Sequence, residues 1–263
     1  MRKFVLSLSI CLQFLTSCGQ DGDTTRARFT ATEKKFSYHL GDSVIKLVAL
    51  QYGKRSDIVM LNLHDDEITS VEAAKLVLEE TGGVLIKIDN YNKRLLEFTI
   101  NGKLYRFDPN RMFSLAGIRA SLGKHSQVNK AATEAIRGFA RFVLNKIPPP
   151  SPTLIALHNN DADRLTIASY MPGNDYGPDV SQVVSIPGAD PDNFLFTTDT
   201  RIFRHLKDSF NIASQHNKKA VDDGSLSIYY GRRKKSYVNV EAEHGQLDEQ
   251  VRMIRAVVGY IRK

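Results

Sequence analysis

The sequence has very few cysteines and no tryptophan. Only Cys11 and Cys18 occur among its 263 residues, so neither a disulfide framework nor a thiolate zinc site is expected to hold the fold together. It also lacks a Gly-x-Ser-x-Gly nucleophile elbow, a phosphate-binding loop ending in Lys-Ser or Lys-Thr, a Gly-x-Gly-x-x-Gly fingerprint and a Cys-x-x-Cys pair. These absences argue against several large enzyme classes. Without disulfides, the fold has to be held together by an apolar core, which a chain of this length can form.

The N-terminal apolar run is too short to span a bilayer as a stable helix. It covers residues 4–15 and follows the basic start of residues 1–3, which predicts an export signal at residues 1–17. The run ends in Leu-Thr-Ser-Cys, which resembles the bacterial lipobox, so we expect Cys18 to become a lipidated N-terminus. Acyl chains would anchor the protein to a bacterial membrane, on its periplasmic or surface side. An ordinary secretory signal is the alternative.

The next segment is polar and shows no apolar periodicity. Residues 19–35 are rich in Gly, Asp, Thr, Arg and Lys, which is typical of a flexible tether. We therefore assign residues 18–40 to a lipidated N-terminus and tether, and residues 41–263 to a single folded domain.

Beyond the tether, short apolar runs alternate with longer amphipathic ones, which predicts an α/β fold with helices on the faces of a sheet. An Asn-Gly pair at 101–102 predicts a tight hairpin turn. The predicted strands are 57–63, 84–88, 95–100, 103–107, 153–157, 193–197, 226–230 and 237–241. The predicted helices are 70–80, 131–144 and 246–261.

The chain is basic, with a formal net charge of +7 and its densest cluster at residues 232–235. This cluster lacks interleaved aromatic residues, so a solvated basic turn is favoured over a nucleic-acid site. We expect no nucleic-acid partner and a monomeric chain.

Two histidines stand at or directly after buried strands. His64 follows the strand predicted at 57–63 and has Glu67 three positions on, whereas His158 follows the strand at 153–157. Ligands bind at the carboxyl ends of the strands in open α/β sheets. Two imidazoles and a carboxylate would hold zinc and leave a position for water. Iron or manganese are the alternative metals, and the rival ligands are Asp65, Asp66 and Asp161.

In the order and local context of its motifs, the chain resembles the zinc carboxypeptidase superfamily. This superfamily comprises the carboxypeptidase A-like peptidases and the succinylglutamate desuccinylase/aspartoacylase group. The resemblance spans about residues 59–246 and rests on short motifs. It implies a mixed, mostly parallel eight-stranded sheet sandwiched by helices, with zinc held by His64, Glu67 and His158.

The resemblance also implies roles for three further residues. Asn110 and Arg111 would bind a substrate carboxylate, since a guanidinium grips such a group through a planar fork. Glu241 would be the general base that activates water. Glu243 lies on the same strand face and is the alternative base.

The sequence does not select the remaining site residues. The arginine that stabilises the oxyanion in carboxypeptidases could be Arg94, Arg106 or Arg119, and Tyr229 or Tyr230 could cover the substrate. We expect a lipid-anchored zinc carboxypeptidase acting on peptides or peptidoglycan stem peptides with a free carboxylate. An N-acyl amino acid deacylase and a non-catalytic binding lipoprotein are the alternatives.

Overall fold

The computed structural model describes residues 28–149 and 153–263. The predicted export signal and lipidated Cys18 lie outside these residues. The strands within them are β1 Ala31–Leu40, β2 Ser43–Tyr52, β3 Ile58–Asn62, β4 Gly83–Asp89, β5 Leu96–Ile100, β6 Lys103–Phe107, β7 Thr153–Asn160, β8 Val180–Val184, β9 Phe194–Thr197, β10 Ile212–Gln215 and β11 Ser236–Glu243. The α-helices are α1 Ile68–Thr81, α2 Leu115–His125, α3 Lys130–Leu144, α4 Thr200–Leu206, α5 Leu226–Arg232 and α6 Leu247–Ile261.

Nine of the described strands form one mixed sheet in the order β1-β2-β4-β3-β7-β11-β9-β10-β8. Strands β4, β3, β7 and β11 are mutually parallel, so their carboxyl ends meet at one edge. Every residue of β3 and β7 is buried, as expected for parallel strands that are covered on both faces. The antiparallel pairings lie further out, and β5 and β6 form a separate hairpin.

Helices cover both faces of this sheet. The neighbours Met60 and Leu61 point to opposite sides of β3. Leu61 belongs to a core cluster with α2, α3, α5 and the β5–β6 hairpin, whereas Met60 belongs to one with α1, α4 and α6. The α/β class and the helix-sandwiched mixed sheet are therefore confirmed, with nine strands in the described residues in place of the expected eight. None of the helices in residues 28–149 and 153–263 has the length and apolar character that a membrane crossing requires.

The strand predicted at 226–230 was wrong, because these residues form helix α5. The sequence Leu-Ser-Ile-Tyr-Tyr alternates like a strand, but the Ser225 hydroxyl caps a helix by accepting a hydrogen bond from the Ile228 amide. Leu226 and Tyr230, four positions apart, then face the same core cluster.

The tether predicted for residues 18–40 was also wrong over its last part, since β1 runs from Ala31 to Leu40. Phe36, Tyr38 and Leu40 alternate toward the core, while most of the intervening residues are exposed. As a polar edge strand, β1 buries too few side chains to give a strong apolar signal.

Candidate metal centre and substrate cavity

The candidate ligands come from the carboxyl ends of two adjacent parallel strands. His64 stands two residues after β3 and Glu67 directly precedes α1, whereas His158 lies within β7. Because β3 and β7 are paired in parallel, the two imidazoles reach the same edge. The His64 and His158 rings are 5.2 Å apart between centroids.

The three side chains form a compact buried cluster. One ligand atom from each of His64, Glu67 and His158 lies within 4.8 Å of the others. The Nδ1 atom of His64 is 2.9 Å from Glu67 Oε1, and the Nδ1 atom of His158 is 3.1 Å from Glu67 Oε2. Glu67 Oε2 is buried without a well-aligned hydrogen bond, which fits an oxygen that binds a cation. Two imidazoles and a carboxylate suit zinc, so the residues present fit such an ion.

Asp108 orients His64, a role that the sequence did not suggest. The Nε2–H group of His64 donates to Asp108 Oδ1 at 2.8 Å, so Nδ1 is the nitrogen that faces Glu67. A carboxylate behind a ligand histidine fixes its ring and tautomer. The available signal was the position of Asp108, two residues before Asn110 in the motif Asp-Pro-Asn-Arg.

Opposite charges inside this cluster shift the pKa values of its members. Burial alone would lower the pKa of His64, but the carboxylates of Glu67 and Asp108 outweigh it and raise that pKa to about 9. Burial raises the pKa of Glu67, yet His158 and His64 bring it well below its usual range. The site thus favours the ionised form of Glu67, which lies between the imidazoles of His64 and His158.

Glu241 lies beside His158, because the two residues are partners in the parallel pair β7–β11. It is buried, and burial raises the pKa of its carboxyl group. The Nδ2 group of Asn239 donates to Glu241 Oε2 at 2.8 Å, which leaves Oε1 as the oxygen free to exchange a proton. Glu243 follows on the same strand face but is half-buried and does not line the cavity described below.

Asn110 and Arg111 lie on a short 3-10 helix, Pro109–Arg111. The Asn110 side-chain oxygen accepts a hydrogen bond from the Leu226 amide, so the NH₂ group of Asn110 remains as its donor. The guanidinium of Arg111 donates to the Asn110 carbonyl and lies 3.6 Å from Asp223.

Only one of the three candidate arginines reaches the site in the described structure. Arg94 donates to Glu67 Oε1 at 2.7 Å and lines the cavity. Arg106 pairs with Glu97 on the surface, and Arg119 is exposed on α2. Arg94 is therefore the arginine positioned beside the cluster.

The alternative metal ligands lie outside the His64–Glu67–His158 cluster. Asp65 accepts from Lys87 and from two backbone amides. Asp161 is exposed and pairs with Arg164. Like Asp65 and Asp161, Asp66 does not belong to the cluster of possible metal ligands that the described residues form.

A cavity of about 410 Å³ opens beside the cluster. Arg94, Asn110, Arg111, His158 and Glu241 all line it. The aromatic residues on its wall include Tyr170 and Tyr176, which the sequence did not single out. Tyr229 and Tyr230 lie on α5 away from it. The cavity is therefore shared by His158 of the cluster, the candidate base Glu241 and the Asn110–Arg111 pair.

No family model matches the chain, and no curated protein matches it. Among solved structures, it is similar to an aspartoacylase family protein from Mesorhizobium loti at 17% identity, covering 88% of this chain and 67% of that one, with a TM-score of 0.42. It is also similar to a murein-tripeptide amidase from Escherichia coli O157 at 11% identity, covering 86% and 92%, with a TM-score of 0.42.

A tripeptide-bound cell shape determinant protein from Helicobacter pylori is similar at 10% identity, covering 83% of this chain and 55% of that one, with a TM-score of 0.44. Proteins named for the aspartoacylase group, to which the sequence motifs are similar, thus occur among these structures. Within one fold, activity is set by the residues of the site.

Proposed function

We propose that this protein is a metal-dependent amide hydrolase, specifically a zinc carboxypeptidase acting on peptides or peptidoglycan stem peptides. The observation that supports this best is the convergence of three elements on one cavity. These are the His64–Glu67–His158 cluster, which reaches the cavity through His158, the buried Glu241 beside it and the Asn110–Arg111 pair.

His64, Glu67 and His158 would hold the metal. When bound there, zinc would polarise the scissile carbonyl and acidify water. Asp108 keeps the His64 ring in its binding orientation through the 2.8 Å hydrogen bond at Nε2.

Glu241 is the proposed general base. Its raised pKa suits a group that accepts a proton from water and returns it to the leaving amine. Asn239 fixes one carboxylate oxygen, so the proton moves at Oε1.

Arg111 and Asn110 would bind the free carboxylate at the end of the substrate, and Arg94 would stabilise negative charge on the carbonyl oxygen. The choice of an envelope substrate rests on the predicted export signal and lipidated Cys18. With that anchor the enzyme would act at a bacterial membrane.

The test compares peptides that have a free C-terminus with the same peptides amidated, and adds N-acyl amino acids. We expect release of the C-terminal residue from free peptides and about 100-fold lower kcat/KM for amidated ones. The variant Glu241→Gln, with its metal retained, should lose hydrolysis. Faster cleavage of N-acyl amino acids would favour the deacylase, and an active Glu241→Gln variant would contradict the assigned base.

A further inference from the structure

The two helical layers of the fold differ in charge. Helices α2, α3 and α5, with the turn at 233–235 that follows α5, carry nine lysines and arginines but one acidic residue, Glu134. Helices α1, α4 and α6 on the opposite side of the sheet carry five basic and five acidic residues. All nine cations of the first layer are exposed. We call this layer, with its turn, the basic face.

Most cations of the basic face have no carboxylate partner. Arg137 pairs with Glu134, and Arg232 pairs with Asp222. Within residues 28–149 and 153–263, no aspartate or glutamate forms an ion pair with the other seven, which are Arg119 and Lys124 on α2, Lys130 and Arg141 on α3, and residues 233–235. Exposed cations of one sign attract an anionic partner over about a Debye length, roughly 10 Å at 0.1 M salt.

An apolar groove of about 510 Å³ lies within the basic face, between α2, α3 and α5. Apolar side chains that include Leu115 and Leu144 line it, together with three arginines, Arg137, Arg141 and Arg233. No carboxylate is among the described residues that line it. Leu115 is 42% exposed, so the groove offers apolar surface to a partner.

Tyr229 holds Arg233 at this groove. The guanidinium carbon of Arg233 lies 3.6 Å from the centroid of the Tyr229 ring, and its Nη1 group donates to the Tyr229 carbonyl at 3.1 Å. Arg141 reaches the same groove from α3. Two guanidinium groups without carboxylate partners therefore flank one apolar groove. Such groups bind phosphate oxygens through their planar forks.

An amphiphile with an anionic headgroup matches this combination of groups. Its phosphate would meet the arginines, and part of its acyl chain would enter the groove. The volume of the groove is that of a small-molecule pocket, about 300–1,000 Å³, which suits one acyl chain better than a folded partner. The cations extend over two helices and a turn, which suits a broad anionic surface.

We propose that the basic face docks on a bilayer that contains anionic phospholipids. The adjacent residues Ile228 and Tyr229 of α5 line the substrate cavity and the groove, respectively, so docking holds the candidate site close to the bilayer. By itself this docking is reversible, and it orients a chain that the proposed anchor at Cys18 keeps at the membrane. The inference goes beyond the proposed hydrolase function and does not depend on it.

The experiment measures sedimentation of the full chain with vesicles. The chain carries Cys18→Ser, which removes the acylation site. One set of vesicles is phosphatidylcholine alone, and the other contains equal parts of phosphatidylcholine and phosphatidylglycerol. We expect at least about 30-fold tighter binding to the anionic vesicles, and loss of this preference in about 1 M NaCl. Binding through the apolar residues 4–15 is common to both sets. Equal binding to both sets at low salt would overturn the proposal.

Two double variants in the same background locate the contact. Arg141→Gln with Arg233→Gln removes two cations beside the groove and should lower the preference about tenfold. Lys75→Gln with Arg204→Gln removes the same charge from α1 and α4 in the opposite layer and should keep it. None of these four side chains pairs with a carboxylate in the described structure, so both variants should fold. An equal loss in both would overturn docking through the basic face.

A leucine pair tests the groove itself. Leu115→Ser should weaken binding to anionic vesicles about threefold, because it removes apolar surface from the groove. Leu76→Ser on α1, at a leucine that is 36% exposed, should not. Equal binding by the two variants would contradict entry of an acyl chain into the groove. Tighter binding of polyglutamate than of anionic vesicles would point to an acidic protein and overturn the bilayer as the occupant.

Discussion

At the scale of single residues, the site depends on which atom each side chain presents. His64 has two ring nitrogens, and Asp108 engages Nε2, so Nδ1 turns toward Glu67. The sequence predicted His64 and Glu67 from their spacing after a strand. It did not indicate Asp108 or select Arg94, because both act through contacts between residues more than 20 positions apart.

Replacing Asp108 should weaken metal binding. Asp108→Ala removes the acceptor that holds the His64 ring, and loss of such a partner typically costs about 10- to 100-fold in metal affinity. Competition with a chromogenic chelator measures the effect. Asp161→Ala, at an exposed carboxylate away from the cluster, is the control, and equal affinities in both variants would contradict the orienting role.

Replacing Arg111 should raise KM for substrates with a free carboxylate. Arg111→Lys keeps the positive charge but loses the planar fork, so we expect a change of about 10- to 100-fold. Steady-state kinetics with free and amidated peptides measures it. The amidated peptide should be affected little, and an equal loss for both peptides would show that Arg111 does not recognise the carboxylate.

At the scale of elements, the buried parallel strands were the most predictable part. The runs at 57–63 and 153–157 predicted buried strands because strands that are covered on both faces carry continuous apolar sequence. The helices α2 and α4 were not predicted, since they are short and owe their stability to packing. Helix α5 was misread because its burial alternates as in a strand.

Helix α4 offers an element-scale prediction. Asp199 caps it by accepting from the Arg201 amide, and it also pairs with the Arg201 guanidinium. Asp199→Ala should lower the free energy of unfolding by about 1 kcal/mol near neutral pH. Urea denaturation measures this loss, which Asp199→Asn should partly restore because its amide oxygen can still cap the helix.

The effect should depend on pH in one direction. Burial raises the pKa of Asp199, but hydrogen bonds from Arg201 outweigh it and lower that pKa below its ordinary value of 3.8. A carboxyl group with a lowered folded-state pKa stabilises the fold above its unfolded pKa, and the contribution disappears as the pH falls through the folded value. The gap between wild type and Asp199→Ala should therefore narrow in acid. A gap that widens in acid would contradict the assignment.

At the scale of the whole molecule, the sheet topology explains why distant motifs meet. His64, His158 and Glu241 lie at or after the ends of the parallel strands β3, β7 and β11, which are adjacent in the sheet. Sequence order alone could not show which residues line the cavity. Asp175, Asp179, Gln215 and Asp223 belong to separate loops and short elements that pack around it.

The predicted membrane anchor at Cys18 would set where the whole molecule resides. We expect wild-type protein to fractionate with bacterial membranes, because acyl chains on Cys18 would anchor it. Cys18→Ser should move it to the soluble fraction, as judged by immunoblotting and by lipid labelling. Membrane association of the serine variant would contradict lipidation at this cysteine.

The metal content of purified protein tests the central claim most directly. We predict about one zinc ion per chain by elemental analysis, lost in the double variant His64→Ala with His158→Ala while its circular dichroism stays that of a folded protein. Absence of metal after incubation with zinc, iron or manganese, or full retention of metal by the double variant, would contradict the proposed metal centre.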